Sequence, residues 1–145
     1  MTASNTTYLL VEDDCDYADL VRMSLGRINP TALVERVEDG EAAITYLGDL
    51  LGQPDAIARL LILLDLNLPK VNGHEVLQYI KADEQLRKIP TILLTSSSAD
   101  EDRARAYDLH VNSVLTKPGD FRDLQEMLGA LDQFWTKWNR VSRAA

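Results

Sequence analysis

The chain has 145 residues, 46% of them hydrophobic and 26% charged, a length and balance that suit one globular domain with its own apolar core. A net charge of −8 argues against a nucleic-acid phosphate backbone as the main partner, because such binding usually needs a basic face. Cys15 is the one cysteine, which excludes an internal disulfide, and no Cys/His zinc spacing accompanies it.

The opening Met-Thr-Ala-Ser-Asn-Thr-Thr is polar and lacks a basic-then-apolar signal, so residues 1–7 are expected to form a flexible N-terminus. The first strand candidate, Tyr8–Val11, ends in Glu12-Asp13-Asp14, and an amphipathic stretch of about Tyr17–Ile28 follows as a helix. Leu33–Val37 is the second strand and Gly40–Leu51 the second helix. The approach Gly-Gln-Pro-Asp-Ala-Ile-Ala-Arg leads to the third strand, Leu60–Leu64, whose unbroken apolar run is that of a central strand covered on both faces. That run is also the longest in the chain and far too short to cross a bilayer. With the lone cysteine and the polar start it leads to an expected cytoplasmic location with no membrane partner, and the acidic charge leads to no DNA partner. The third strand ends in Asp65, before Leu66-Asn67-Leu68-Pro69 and a helix over about Gly73–Asp83. The fourth, Thr91–Leu94, runs into Thr95-Ser96-Ser97 and a charged helix over Ala99–Leu109 with few large apolar residues. Ser113–Leu115 is the fifth, followed by Thr116-Lys117-Pro118 and a last helix over Phe121–Trp138. Five strand–helix units in alternation predict a parallel sheet wrapped by helices on both faces, and they leave no residues for a separate output domain.

In such a sheet, ligands bind outside the carboxyl ends of the strands, and the chemistry-bearing residues all fall there. Taken singly, Asp and Thr are common cap residues and Lys-Pro a common turn. Together, four strands each deliver a needed chemical type at the same edge. Adjacent carboxylates repel, so a site that keeps them ionised calls for a hard divalent cation with oxygen ligands; Mg²⁺ suits one or two carboxylates plus phosphate oxygens. Asp65 can then be a nucleophile that forms an aspartyl phosphate. Lys117 supplies a point charge for one phosphoryl oxygen and Thr95 a hydroxyl for another. Phosphoryl transfer needs mainly positioning and electrostatics, which this set offers.

Val-Glu-Asp-Asp, Leu-Leu-Asp-Leu-Asn-Leu-Pro-Lys-Val-Asn-Gly, Leu-Leu-Thr-Ser and Leu-Thr-Lys-Pro resemble the four signatures of response-regulator receiver domains, and the resemblance spans roughly Tyr8 to Leu131. It implies a flavodoxin-like (βα)5 fold, a doubly wound α/β sheet of order 2-1-3-4-5, over residues 8–131, with residues 132–145 extending the last helix into a tail. It implies a two-component signalling switch rather than an enzyme, with slow autodephosphorylation. Asp65 would take phosphate from a histidine kinase, and Mg²⁺ would be held by Glu12, Asp13, Asp65 and the Asn67 backbone carbonyl. Thr95 would be the switch hydroxyl, Lys117 the phosphoryl-contacting lysine with a cis bond to Pro118, and Asn67 and Ser97 would tune hydrolysis. Asp14 reads as a solvated neighbour of the pair.

A narrower likeness lies in Tyr-Asp-Leu-His-Val-Asn-Ser-Val-Leu-Thr-Lys-Pro and the later Phe134-Trp135, which are similar to regulators serving bacterial phytochrome-type histidine kinases. One departure stands out: Val114 occupies the place where many receivers carry Tyr or Phe, and a stiff β-branched residue has no ring to rotate inward. His74 and His110 fall outside the acidic set and read as packing or surface residues, and Cys15 as an inert thiol. Phe134, Trp135 and Trp138 extend beyond what a sheet-covering helix requires, which suggests a homodimer or partner surface. Phosphatases of the haloacid-dehalogenase type also use a strand-end aspartate, but they usually carry a second Asp where Asn67 stands. A binding module without phosphorylation is a further alternative, which Val114 keeps open. A flavin-binding relative is disfavoured by the acidic first turn, which would repel a flavin phosphate.

Overall fold

In the computed structural model, which describes residues 6–140, five parallel strands lie in the order β2-β1-β3-β4-β5. They are β1 (Thr7–Val11), β2 (Leu33–Val37), β3 (Leu60–Leu64), β4 (Thr91–Thr95) and β5 (Ser113–Thr116). The helices are α1 (Cys15–Ile28), α2 (Gly40–Asp49), α3 (Pro54–Ala58), α4 (Gly73–Ala82), α5 (Asp100–Asp108) and α6 (Phe121–Asp132). This is the doubly wound order anticipated above. The ends of the two anticipated tails, residues 1–5 and 141–145, lie outside the described residues.

Strand side chains alternate between faces, and that alternation divides the core in two. Leu9, Val11, Ile62, Leu64 and Leu93 pack with Ala43 and Leu47 of α2, Val76, Leu77 and Ile80 of α4, and Ala106 of α5. Tyr8, Leu10, Leu61, Leu63 and Ile92 pack instead with Ala18, Val21 and Leu25 of α1 and Leu124, Leu128 and Leu131 of α6. All five residues of β3 are buried, as its continuous apolar run requires. Because α1 leaves β1 for one face and α4 leaves β3 for the other, a crevice opens between these two neighbouring strands at their carboxyl ends.

Several boundaries differ from the sequence expectation. The second helix stops at Asp49, and the segment leading to β3 holds the extra one-turn helix α3, with Pro54 in the first turn where a missing N–H costs nothing. The last helix is α only to Asp132 and continues as a π-helical turn over Gln133–Trp138. There Thr136 Oγ1 donates to the Asp132 carbonyl at 2.6 Å, and Asn139 N–H donates to Phe134 O at 2.7 Å, five residues back. A side-chain hydroxyl on a helix carbonyl competes with the ordinary ladder and loosens the turn. The Lys117–Pro118 bond is trans, correcting the cis expectation; the tertiary amide favours trans intrinsically by about 0.5–1 kcal/mol.

A polar anchor sits at the junction of α6, α1 and the sheet. Asp132 is buried and accepts from the Tyr8 hydroxyl and, at 3.1 Å, from Asn29 Nδ2. Burial and the neighbouring carboxylate push the Tyr8 phenol well above its ordinary pKa, so it stays a donor.

Candidate functional site

Glu12 continues the β1 ladder by donating its N–H to Val37 O at 3.1 Å, which draws its side chain into the crevice, 1% exposed. Asp13, one residue on, is exposed. Asp14 is absorbed by the helix that follows: its Oδ1 accepts from Asp16 N at 3.0 Å and Tyr17 N at 3.2 Å, capping α1. Its role is thus a definite one, beyond that of a solvated acid. Asp65 donates its N–H to Val11 O at 3.0 Å and is 5% exposed, and its Oδ1 accepts from Leu66 N–H at 2.8 Å. One carboxylate oxygen each from Glu12, Asp13 and Asp65 lie within 4.8 Å of one another.

Lys117 enters from the end of β5, where its N–H donates to Thr95 O at 2.8 Å. Its Nζ lies 2.7 Å from Glu12 Oε1 and 3.5 Å from Asp65 Oδ2, with the side chain 14% exposed. Thr95 is buried at the end of β4, and its Oγ1 accepts from Ser97 N–H at 3.1 Å. Ser97 Oγ donates to Asp102 Oδ2 at 2.6 Å, tying the loop to the first turn of α5. Asn67 is exposed in the loop after β3.

Burial is the largest influence on Glu12 and raises its pKa; the Lys117 ammonium pulls the other way, and the Asp65 charge adds to the rise. Asp65 is likewise raised by burial against the opposing pull of Lys117. Two buried carboxyls that resist ionisation, with a third beside them, form an all-oxygen donor set short of positive charge. Such a set fits a hard divalent cation, whose charge would let every carboxyl ionise.

Three residues shape this site without having been singled out in the sequence. Arg36 on β2 donates from Nε to Glu12 O at 3.0 Å and from Nη2 to Asp13 O at 3.2 Å, which fixes the acidic turn. Gly73 opens α4 hard against the end of β3; a Cβ there would lie 2.4 Å from Asp65 O. Tyr17, in the first turn of α1, places its ring 4.5 Å from Lys117 Nζ. Burial, then the charges of Glu12 and Asp65, push its phenol up to about 12. The only advance signal for Tyr17 was its position three residues after the capping Asp14. His74 is buried on α4 with Nε2 3.0 Å from Asp102 O, and His110 is exposed, so both lie apart from the acidic cluster.

Residues 8–129 match the response regulator receiver domain family. The chain belongs to that family. This receiver is 46% identical over 132 residues to a probable methanogenesis regulatory protein, FilR2 of Methanothrix harundinacea, covering 91% of this chain and 84% of that protein. It is 39% identical over 129 residues to the response regulator Rcp1 of Synechocystis, covering 88% and 86% respectively. The Mn²⁺-bound crystal structure of Rcp1 superimposes with a TM-score of 0.82 over 94% of this receiver and 99% of that chain. The phosphorylated cyanobacterial phytochrome response regulator RcpA does so with a TM-score of 0.85 at 36% identity, over 94% and 98%. The family places this receiver in two-component signalling as a phosphoacceptor regulator. No helix among the described residues is long and apolar enough to cross a membrane.

Proposed function

We propose that Asp65 is the phosphoacceptor and that Glu12, Asp13 and Asp65, with the Asn67 backbone carbonyl, hold Mg²⁺. The observation that carries this reading is the Lys117 ammonium lodged between Glu12 and Asp65 at the rim of the acidic cluster. The Asp65 carboxylate attacks phosphorus, forming an acyl phosphate as the histidine N–P bond of the kinase breaks and its electron pair returns to the imidazole. Lys117 neutralises charge on a phosphoryl oxygen, and Thr95 gives up the Ser97 N–H to bond another. Bound Mg²⁺ supplies charge neutralisation for the transferring group. Asn67 and Ser97 set how quickly water removes the phosphate. The likenesses to Mn²⁺-bound Rcp1 and to phosphorylated RcpA support this reading and favour a phytochrome-type histidine kinase as the cytoplasmic donor.

The surface that changes on phosphorylation is the α4–α5 side. Val114 is half-buried against the α2–α4–α5 core, and with no ring there, the Ser97–Asp102 bond transmits the movement of Thr95. The receiver unit is residues 8–131. We assign the exposed rings of Phe134 (51% exposed) and Trp138 (65%) to a contact between two copies of the chain; Trp135 packs against the α1–α6 core instead. Truncation after Leu131 would remove Asp132 and its anchor, so Phe134→Ser with Trp138→Ser is the cleaner variant. Sedimentation of that variant as a monomer beside a dimeric parent supports the contact, and unchanged behaviour removes it.

Intact-mass spectrometry after incubation with acetyl phosphate tests the central reading. A single Mg²⁺-dependent phosphate adduct is expected on the parent and none on Asp65→Asn. An adduct that persists in the variant, or none on the parent with either acetyl phosphate or a phosphorylated kinase, would overturn it.

A further inference from the structure

Lys117 has two competing anionic neighbours. Its shorter contact is to Glu12, at 2.7 Å, and its longer one is to Asp65, at 3.5 Å. On the reading above, Glu12 turns to a cation when the site loads, and the ammonium would lose its nearer partner as the phosphoryl donor arrives. A lysine side chain freed in this way has several rotatable bonds and a large conformational freedom to give up again.

The ring of Tyr17 occupies a third side of the ammonium, 4.5 Å from ring centroid to Nζ. The aromatic face attracts a cation through its quadrupole, most strongly where water is excluded, and Lys117 is only 14% exposed. Unlike a carboxylate, a neutral ring does not compete for a divalent cation. Tyr17 is itself held from two directions. Its backbone N–H is bound by the capping Asp14, and its side chain packs against the α1–α6 core. The phenolic oxygen, meanwhile, is buried without a hydrogen-bond partner among the described residues. An orphaned buried hydroxyl is a cost, so the ring is the part of this side chain that contributes.

We propose that Tyr17 is a positioning residue for phosphoryl transfer: its ring holds the Lys117 ammonium beside Asp65 when Glu12 turns to the cation. The proposal rests on the assignment of Asp65 and Lys117 made above. It requires an aromatic face at position 17 and does not require the hydroxyl.

Two measurements test it. In the parent protein, the ε-methylene resonance of Lys117, assigned by its loss in Lys117→Arg, is expected upfield of other lysines through the ring current, in Mg²⁺ as well as without it. The shift persists in Tyr17→Phe and disappears in Tyr17→Leu. The initial rate of phosphorylation by acetyl phosphate at saturating Mg²⁺ is expected within about twofold of the parent in Tyr17→Phe and lower by roughly five- to thirtyfold in Tyr17→Leu. No upfield shift in the parent with Mg²⁺ overturns the proposal, and that spectrum needs no substitution to fold. A parental rate in Tyr17→Leu also overturns it, as does a Tyr17→Phe as slow as Tyr17→Leu, which would give the role to the hydroxyl. A shifted resonance in a parent that takes no phosphate refutes the phosphoacceptor reading and leaves only the contact.

Discussion

His110 adopts a left-handed backbone conformation (φ 69°) at the close of α5, with its N–H donating to Tyr107 O at 2.9 Å and the Val111 N–H to Ala106 O at 3.1 Å. This pair of bonds is a Schellman closure, and the buried Val111 and Ala106 supply its usual apolar contact. A β-carbon in that conformation costs about 1–2 kcal/mol, part of which glycine would return as lost backbone freedom. His110→Gly is therefore expected to stabilise the fold by about 0.5–1 kcal/mol, read from urea unfolding; a loss of stability would mean that the imidazole contributes a contact of its own. Two positions on, Asn112 Oδ1 accepts from Thr91 N–H at 2.8 Å and Lys81 Nζ at 3.1 Å, so it ties the start of β4 to α4. In the sequence these residues were legible as a family likeness only. Their reasons are a positive φ and two bonds to residues distant in the chain, and neither leaves a periodic trace.

The same contrast holds among the elements. The central strands were readable nearly to the residue because burial on both faces leaves short apolar runs, as in Leu60–Leu64. The edge strands Leu33–Val37 and Ser113–Thr116, only partly buried, were placed by the alternation of strand and helix around them. The last helix was not readable to its end, since its apolar stripe continues through Trp135 and Trp138 while the backbone changes pitch at Asp132. Joints between elements were the least legible part of the site. Gly73 begins α4, where alanine would ordinarily gain up to about 1 kcal/mol over glycine. A Cβ at this position would instead meet Asp65 O at 2.4 Å and Leu66 Cα at 2.6 Å, both backbone atoms that cannot rotate away. Sterics and propensity thus predict opposite signs, and sterics is the larger effect. Gly73→Ala is expected to destabilise by about 1–3 kcal/mol in urea unfolding and to slow acetyl phosphate labelling by displacing the end of β3. A stabilised variant would show that α4 moves back without cost.

Across the whole molecule, the acidic crevice weakens the fold until a cation enters. Glu12 and Asp65 have folded pKa values raised above their ordinary 4.5 and 3.8, chiefly by burial. The folded state then holds protons that the unfolded chain has released, so stability is greatest at low pH within this window and falls as pH rises through the raised values. Added Mg²⁺ should cancel that loss, raising the unfolding temperature more at pH 7 than at pH 5. Asp65→Asn should raise the cation-free unfolding temperature at pH 7 by about 3–5 °C, the equivalent of about 1 kcal/mol, and should weaken the response to Mg²⁺. Calorimetry at both pH values would refute this if Mg²⁺ stabilised the parent equally at each. The helices are also anchored unequally. On one face of the sheet, α1 and α6 each bury several side chains and share the Tyr8–Asp132–Asn29 bonds; on the other, α2 and α4 also bury several, and α5 beside them buries Ala106 alone. Substitutions over most of the α5 surface should therefore leave folding nearly untouched, so a lineage could exchange one binding partner for another there while the phosphate chemistry and the fold stayed as they were.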